Sequence, residues 1–252
     1  MFTFLEDRIK RAIEKIEPHI YKDEIQIKDL VMAKDIKWYE DIGRAKGWTE
    51  YTAGQSWGGI NENYCFSFKF RIPEHYAGQR VTTTVTTGRE GLWNAVNPQF
   101  LAYVDGDLIQ GLDVNHQSFT LTDLAQRGRE LSIDLIGWTG MNKGLINLEV
   151  RMAVLNKDVE GLYYDLKTAY DVLLTLDKGS KDSEDILEHL NNAVNYLDFR
   201  SFSGKEFNDS IERARAYMVD EFYGKYCGRD KHIRVCALGH THIDVAWLWT
   251  LE

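Results

Sequence analysis

The stretch "ALGHTHIDVAWLWTLE", residues 237–252, gathers the most reactive side chains of the sequence: His240, His242, Asp244, Trp247 and Trp249. His240, His242 and Asp244 are spaced by two. Successive side chains of a strand point to opposite faces, so on an extended backbone these three share one face. Imidazole beside carboxylate is a donor set that zinc accepts, at about 2.0–2.2 Å. The same residues also make an ordinary hydrogen-bonded His–Asp pair in a solvated loop, and spacing alone leaves both readings open. A catalytic zinc normally takes three protein ligands. The other histidines, His19, His75, His116, His189 and His232, are scattered, and no distant ligand pair stands out among them.

Two further groups could touch a ligand. Asp113, Asn115 and His116 stand together in "GLDVNHQS". Asx-rich loops of this kind more often satisfy their own turn backbone. Trp48, Trp57, Trp93 and Trp138 offer flat apolar faces of the type that stack on sugar C–H groups. The competing reading is that they fill the core of a β-sandwich.

Elements must hold these groups in place. Ile233, Val235, Ala237 and Leu238 make a short apolar run that ends at Gly239. A buried parallel strand that delivers chemical groups at its C-terminal end has this pattern, here over 233–240. At the other end of the chain, Phe2, Leu5, Ile9, Ala12, Ile13 and Ile16 fall on one helical face, and Pro18 stops the helix. Residues 31–58, with several glycines and Trp38, Trp48 and Trp57, read as a long ordered loop.

The period then changes to two. Tyr64, Phe66, Phe68, Phe70 and Ile72 alternate with Cys65, Ser67, Lys69 and Arg71, which predicts a half-buried strand. "VTTTVTT" (81–87) is β-branched throughout. Asp105-Gly106 between two apolar runs predicts a hairpin, because both residues tolerate positive φ. "SFTLT", "ELSIDLIG" and "INLEVRMAVL" alternate in the same way. About seven short strands predict an antiparallel β-sandwich, so the fold class is mainly β with α. Helical periodicity returns over 159–176, 182–199 and 205–226, with Ser203 and Glu206 placed as a capping box for the last helix.

The closing motif resembles a known family. "GHTHIDVAWLW" is similar to the opening strand of the catalytic domain in glycoside hydrolase family 38 α-mannosidases, which carries a Gly-His-x-His-x-Asp-x-x-Trp signature. The resemblance implies that His242 and Asp244 bind zinc and that Trp247 stacks on the mannose ring; His240 matches the motif without being a ligand. It extends upstream through "QSWGGINENY" (55–64), "AYVDGDLIQGLDVNH" (102–116) and "FTLTD" (119–123). It departs at the first core strand, where many relatives have Trp and this chain has Cys65-Phe66. The implied fold is a jelly-roll or galactose-binding-like sandwich with an N-terminal helix and a C-terminal three-helix segment, followed by the first strand of a truncated (β/α) barrel. The implied segments are 1–30 (helix and lead-in), 31–155 (sandwich), 156–231 (helical linker) and 232–252 (start of the catalytic domain). A retaining glycosidase needs two carboxyls about 5–5.5 Å apart. In the family the nucleophile and acid/base lie beyond this motif, so the chain is expected to be a non-catalytic N-terminal portion, inactive alone. A stand-alone carbohydrate-binding module and a structural or oligomerisation domain are the alternatives.

Composition narrows the partners. The chain has 30 basic against 39 acidic residues, a net charge of −9, and no basic run suited to nucleic acid or an anionic membrane. No stretch approaches the roughly 20 apolar residues of a membrane span. Cys65, Cys227 and Cys236 form no disulfide framework, and the N-terminus lacks the unbroken apolar run of a signal peptide, so a cytoplasmic setting is expected. The expected partners are α-mannosides or oligosaccharides, with homo-oligomerisation left open.

Overall fold

The computed structural model describes residues 2–90, 98–141, 145–228 and 236–239 of the chain. Two compact units are present. One holds residues up to Lys22 together with the helices that follow Leu155, and the other holds Asp23–Val154.

The second unit is a sandwich of two antiparallel sheets. Its strands are β1 (Tyr21–Gln26), β2 (Leu30–Lys34), β3 (Thr49–Tyr51), β4 (Asn63–Arg71), β5 (Val81–Thr86), β6 (Gln99–Val104), β7 (Asp107–Leu112), β8 (Ser118–Thr122), β9 (Glu130–Trp138) and β10 (Glu149–Leu155). One sheet has the order β1-β10-β5-β8, the other β3-β2-β4-β9-β6-β7. Period-two alternation turns one face of each sheet inward. Phe66, Phe68 and Phe70 of β4 stand opposite Leu135, Ile133 and Leu131 of β9. Val81 and Val85 of β5 and Val150, Met152 and Val154 of β10 share one core with them. Burying each such side chain contributes about 1.5–3 kcal/mol. The predicted hairpin is present: Asp105 and Gly106 adopt φ of 51° and 93° between β6 and β7.

The reading of 31–58 as a loop is corrected. β2 and β3 lie within it and extend the six-stranded sheet beyond β4. β2 runs from Leu30, pairing Val31–Lys34 with Ser67–Tyr64, while β3 pairs back onto β2. Both strands are short and lack strict alternation; β2 is held because it is sandwiched between two partners. β1 was not foreseen either, since "YKDEIQ" is mostly exposed and has no apolar face.

The helical unit contains α1 (Phe2–Ile16), α2 (Lys157–Leu173), α3 (Lys181–Asn195) and α4 (Lys205–Tyr217). Ile9, Ile13 and Ile16 of α1 join Leu162, Leu166, Leu190 and Ile211 in one core. Pro18 sits in a 3₁₀ turn, Glu17–His19, directly after α1. The third predicted helix does not stay α-helical to 226. From Met218 to Tyr226 it is π-helical, with Cys227 N–H donating to the Phe222 carbonyl at 2.8 Å. The expected capping box is also corrected. Gly204, at φ 91°, occupies the cap of α4, and the Ser203 hydroxyl turns to Ser201. A hydroxyl cap exists one helix earlier, where Ser180 Oγ accepts from Ser183 N–H. Among the described residues no helix is long and apolar enough to cross a membrane.

Candidate functional site

The motif residues His240, His242, Asp244, Trp247 and Trp249 lie outside the described residues. Of the apolar run expected as a strand over 233–240, only Cys236–Gly239 is described, and that piece has no regular structure. Among the described residues no group of three His, Cys, Asp or Glu is gathered closely enough to hold a metal. One imidazole and one carboxylate, as His242 and Asp244 offer, are donor types that zinc accepts, and would make two of the three protein ligands a catalytic site normally has.

The structure does assemble a polar depression on the outer face of the six-stranded sheet. Residues paired across an antiparallel ladder point the same way. Asn63, Trp138 and Gln99 therefore form one row across β4, β9 and β6. Ile136, Leu101 and Gly111 form the next row across β9, β6 and β7. Lys37 and Asp113 stand at the rim of the resulting depression, whose volume is about 330 Å³.

Two local devices position its side chains. Asn61, held at φ 54°, donates its backbone N–H to the Gly140 carbonyl at 2.6 Å. Its Oδ1 accepts the indole N–H of Trp138 at 2.8 Å. The indole is thereby oriented, and its one donor is engaged. Asp113 closes the other side through an Asx turn. Its Oδ1 accepts from the backbone N–H groups of Asn115 (2.8 Å) and His116 (2.7 Å), and His116 Nδ1 lies 3.0 Å away. Burial pushes the Asp113 carboxyl up, but these donors outweigh it, and the group titrates below the ordinary aspartate range. Asn115 and His116 thus act mainly as the turn that fixes Asp113.

The neighbouring part of the outer face is covered. Ile36, Tyr39, Ile42, Ala45 and Trp48 pack over Ala33, Cys65 and Ile136. Tyr39 stacks on Tyr103 with ring centroids 4.5 Å apart. On the same face Asp134 is buried, opposite Ser67 on β4 and Tyr103 on β6. Burial raises its carboxyl, opposed by a hydrogen bond from Ser67. Burial, with the Asp134 charge adding to it, pushes the Cys65 thiol up to about 12.

The tryptophans separate into distinct roles. Trp57 is 3% exposed and lies edge-on to Phe66, 4.8 Å between centroids, so of its two readings the core one holds. Trp48 is half-buried against the cover. Trp93 lies outside the described residues. Of the three described, Trp138 alone lines the depression. Sequence reasoning missed Lys37, Asn61, Asn63, Gln99 and Gly111. The available signal was Gly111, a glycine inside a strand pattern, which often marks a close approach.

A larger depression, about 490 Å³, lies in the helical unit beside α1 and the end of α3. Its Arg8 guanidinium is already bonded to Asn191 and to Asn195, 2.8 Å for the latter, and Lys15 lies over the Phe199 ring. These contacts tie helices together.

No known family profile matches the chain. It is similar to alpha-mannosidase G of Dictyostelium discoideum, with 26% identity over 259 residues, covering 94% of this chain and 20% of that protein. It is similar to alpha-mannosidase 2C1 of Mus musculus (27% identity) and of Homo sapiens (28%), each over 218 residues, 79% of this chain and 19% of the relative. The chain thus spans about a fifth of the length of the curated relatives it matches. Among solved structures, a β-glucuronidase of an uncultured Clostridium superposes with a TM-score of 0.38 at 10% identity, covering 53% of this chain and 29% of that one. A β-glucuronidase of Ruminococcus gnavus gives 0.39 at 9% identity, covering 54% and 30%.

Proposed function

We propose that the chain is the N-terminal, non-catalytic portion of a zinc-dependent retaining α-mannosidase of glycoside hydrolase family 38. The observation that carries this reading is the similarity to α-mannosidases along 79–94% of the chain. The Gly239–Trp247 stretch adds support through its resemblance to the family's Gly-His-x-His-x-Asp-x-x-Trp signature.

In this reading His242 and Asp244 hold zinc, and Trp247 stacks beneath the mannose ring. Bound zinc supplies a Lewis acid that anchors vicinal hydroxyls of the sugar. His242 must be neutral to ligate, and Asp244 ionised, so protons compete with the metal for both side chains. Trp247 contributes an apolar face that excludes water from one side of the ring. The nucleophile and the acid/base are assigned to other parts of the enzyme, and the sandwich serves a supporting role. All three cysteines are free, which supports a reducing, cytoplasmic setting.

The test compares hydrolysis of an aryl α-mannoside by this chain and by the longer gene product. The expected result is no turnover by the 252-residue chain. The longer product should be active, lose activity to a chelator, and regain it with zinc. His242→Ala and Asp244→Ala should each remove both metal and activity. Chelator-resistant mannosidase activity, or turnover by the chain alone, would sink the reading.

A further inference from the structure

We propose that the depression around Trp138 binds one pyranose ring of a neutral saccharide. Four observations converge on that ligand class.

The first is the aromatic wall. The Trp138 N–H is already bonded to Asn61, so the indole offers a ligand its apolar faces. An axial C–H face of a pyranose is the complementary surface. The second is the polar wall. Asp113 Oδ1 takes the donors of its own turn, and Oδ2 takes none of them. Lys37 supplies an ammonium, while Asn63 and Gln99 each supply a carboxamide with donor and acceptor. A sugar hydroxyl both donates and accepts, so adjacent hydroxyls match such a mixed set. An anionic ligand would meet the Asp113 carboxylate, and a cationic one would meet Lys37; a neutral polyol meets neither penalty.

The third observation is Gly111. Glycine weakens a strand interior, so its presence in β7 asks for a reason. Its φ is not in the left-handed region, and a Cβ there would approach only the Phe100 carbonyl oxygen, at 3.9 Å. Neither conformation nor packing among the described residues calls for glycine. Gly111 lies in the row of Leu101 and Ile136, so a side chain there would stand in the depression. The fourth is size: about 330 Å³ falls at the lower end of small-ligand sites, with room for a single ring and an open side for the rest of a glycan.

The ligand class follows from these residues. That the ring is a mannoside rests on the α-mannosidase reading. The 252-residue chain is titrated with methyl α-mannoside, methyl α-glucoside and an α-linked mannobiose. Binding is followed by tryptophan emission and by the NMR signals of the Trp138 indole N–H and the Gly111 amide. The expected result is saturable binding of a mannoside with a Kd on the order of 1 mM. Trp138→Ala should weaken it about fivefold or more. Gly111→Phe fills the depression and should abolish binding without lowering the thermal midpoint; it decides the matter even if Trp138→Ala fails to fold. No saturation by any of the three sugars up to about 100 mM overturns the site. Undiminished binding by Gly111→Phe overturns it equally. Saturation at this site by the glucoside in preference to the mannosides keeps the site and counts against the α-mannosidase reading. Absence of binding here, with mannoside hydrolysis by the longer product, overturns the site alone.

Discussion

Gly137 lies on β9 against the Phe100 ring, and replacing it with alanine gives a sharp test of the packing. It stands between Tyr64 of β4 and Phe100 of β6 on the inward face. Its backbone is not in the left-handed region, so conformational strain is not the issue. A Cβ at this position would lie 2.7 Å from Phe100 Cε1, 2.9 Å from Cδ1 and 3.4 Å from Trp57 Cη2. Carbon atoms pack best at about 3.5–4.0 Å, so the Phe100 ring would have to retreat by roughly 0.8 Å or more. It has little room: Phe100 is 4% exposed and faces the Trp57 ring. Overpacking of this kind costs about 1–3 kcal/mol. Phe100→Ala alone costs about 3–5 kcal/mol, but it removes the atoms that clash. In that background Gly137→Ala should cost less than about 0.5 kcal/mol, a non-additivity of about 1–3 kcal/mol. Urea unfolding followed by tryptophan emission measures this. Five of the seven tryptophans, Trp38, Trp48, Trp57, Trp93 and Trp138, lie between Asp23 and Val154, and none lies in residues 1–22 or 155–228; with Trp247 and Trp249 both replaced by Phe in every variant compared, emission reports on the sandwich. A Gly137→Ala protein within about 0.5 kcal/mol of the parent, or strict additivity with Phe100→Ala, refutes the argument.

Four other outcomes are expected. At pH 8 a thiol reagent should modify Cys227 and Cys236, both exposed, while Cys65, buried and pushed up to about 12, reacts only in denaturant; mass spectrometry counts the adducts. Ser180→Ala removes the cap of α3 and should cost about 0.5–2 kcal/mol, read from ellipticity at 222 nm during unfolding. Leu162→Ala leaves a cavity in the helical core and should cost about 2–5 kcal/mol by the same readout. The carboxyl of Asp113 is lowered in the folded chain, so its contribution to stability is fully present above the ordinary aspartate value of about 3.9 and is lost as pH falls through the lower folded value. The Asn115 and His116 amide shifts should titrate below that value; a midpoint at or above it contradicts the Asx-turn geometry.

Much of the architecture was legible because its causes are local. The aromatic alternation at Tyr64–Ile72 needs no partner to be read as a strand, and Asp105-Gly106 announces its turn through residues that tolerate positive φ. The helical stripes of α1 to α4 are equally explicit. Elements whose stability comes from partners were not legible. β2 and β3 are short and carry no strict alternation, yet β2 is clasped between β3 and β4. β1 exposes most of its residues and exists as the edge of a sheet. The capping box at Ser203 failed because Gly204, free to take φ 91°, carries the chain into α4 in its place.

The chemistry divides in the same way. By itself the sequence determined which reactive groups exist and how some are grouped: His242, Asp244 and Trp247 are close in sequence, so their resemblance to a family signature is visible without a structure. It also determined the alternation that makes a sandwich. Only tertiary structure decided which scattered candidates share a surface. Asp113 and Trp138 are 25 positions apart and were separate possibilities; the β7–β6–β9 ladder brings both to one depression. Trp57, also a candidate beforehand, was turned into the core, bridged to Ile146 and edge-on to Phe66. The physical reason is that strand register is a non-local quantity. A one-residue slip sends every side chain to the opposite face, so the surface a residue occupies is set by its partner strand as much as by its neighbours in sequence.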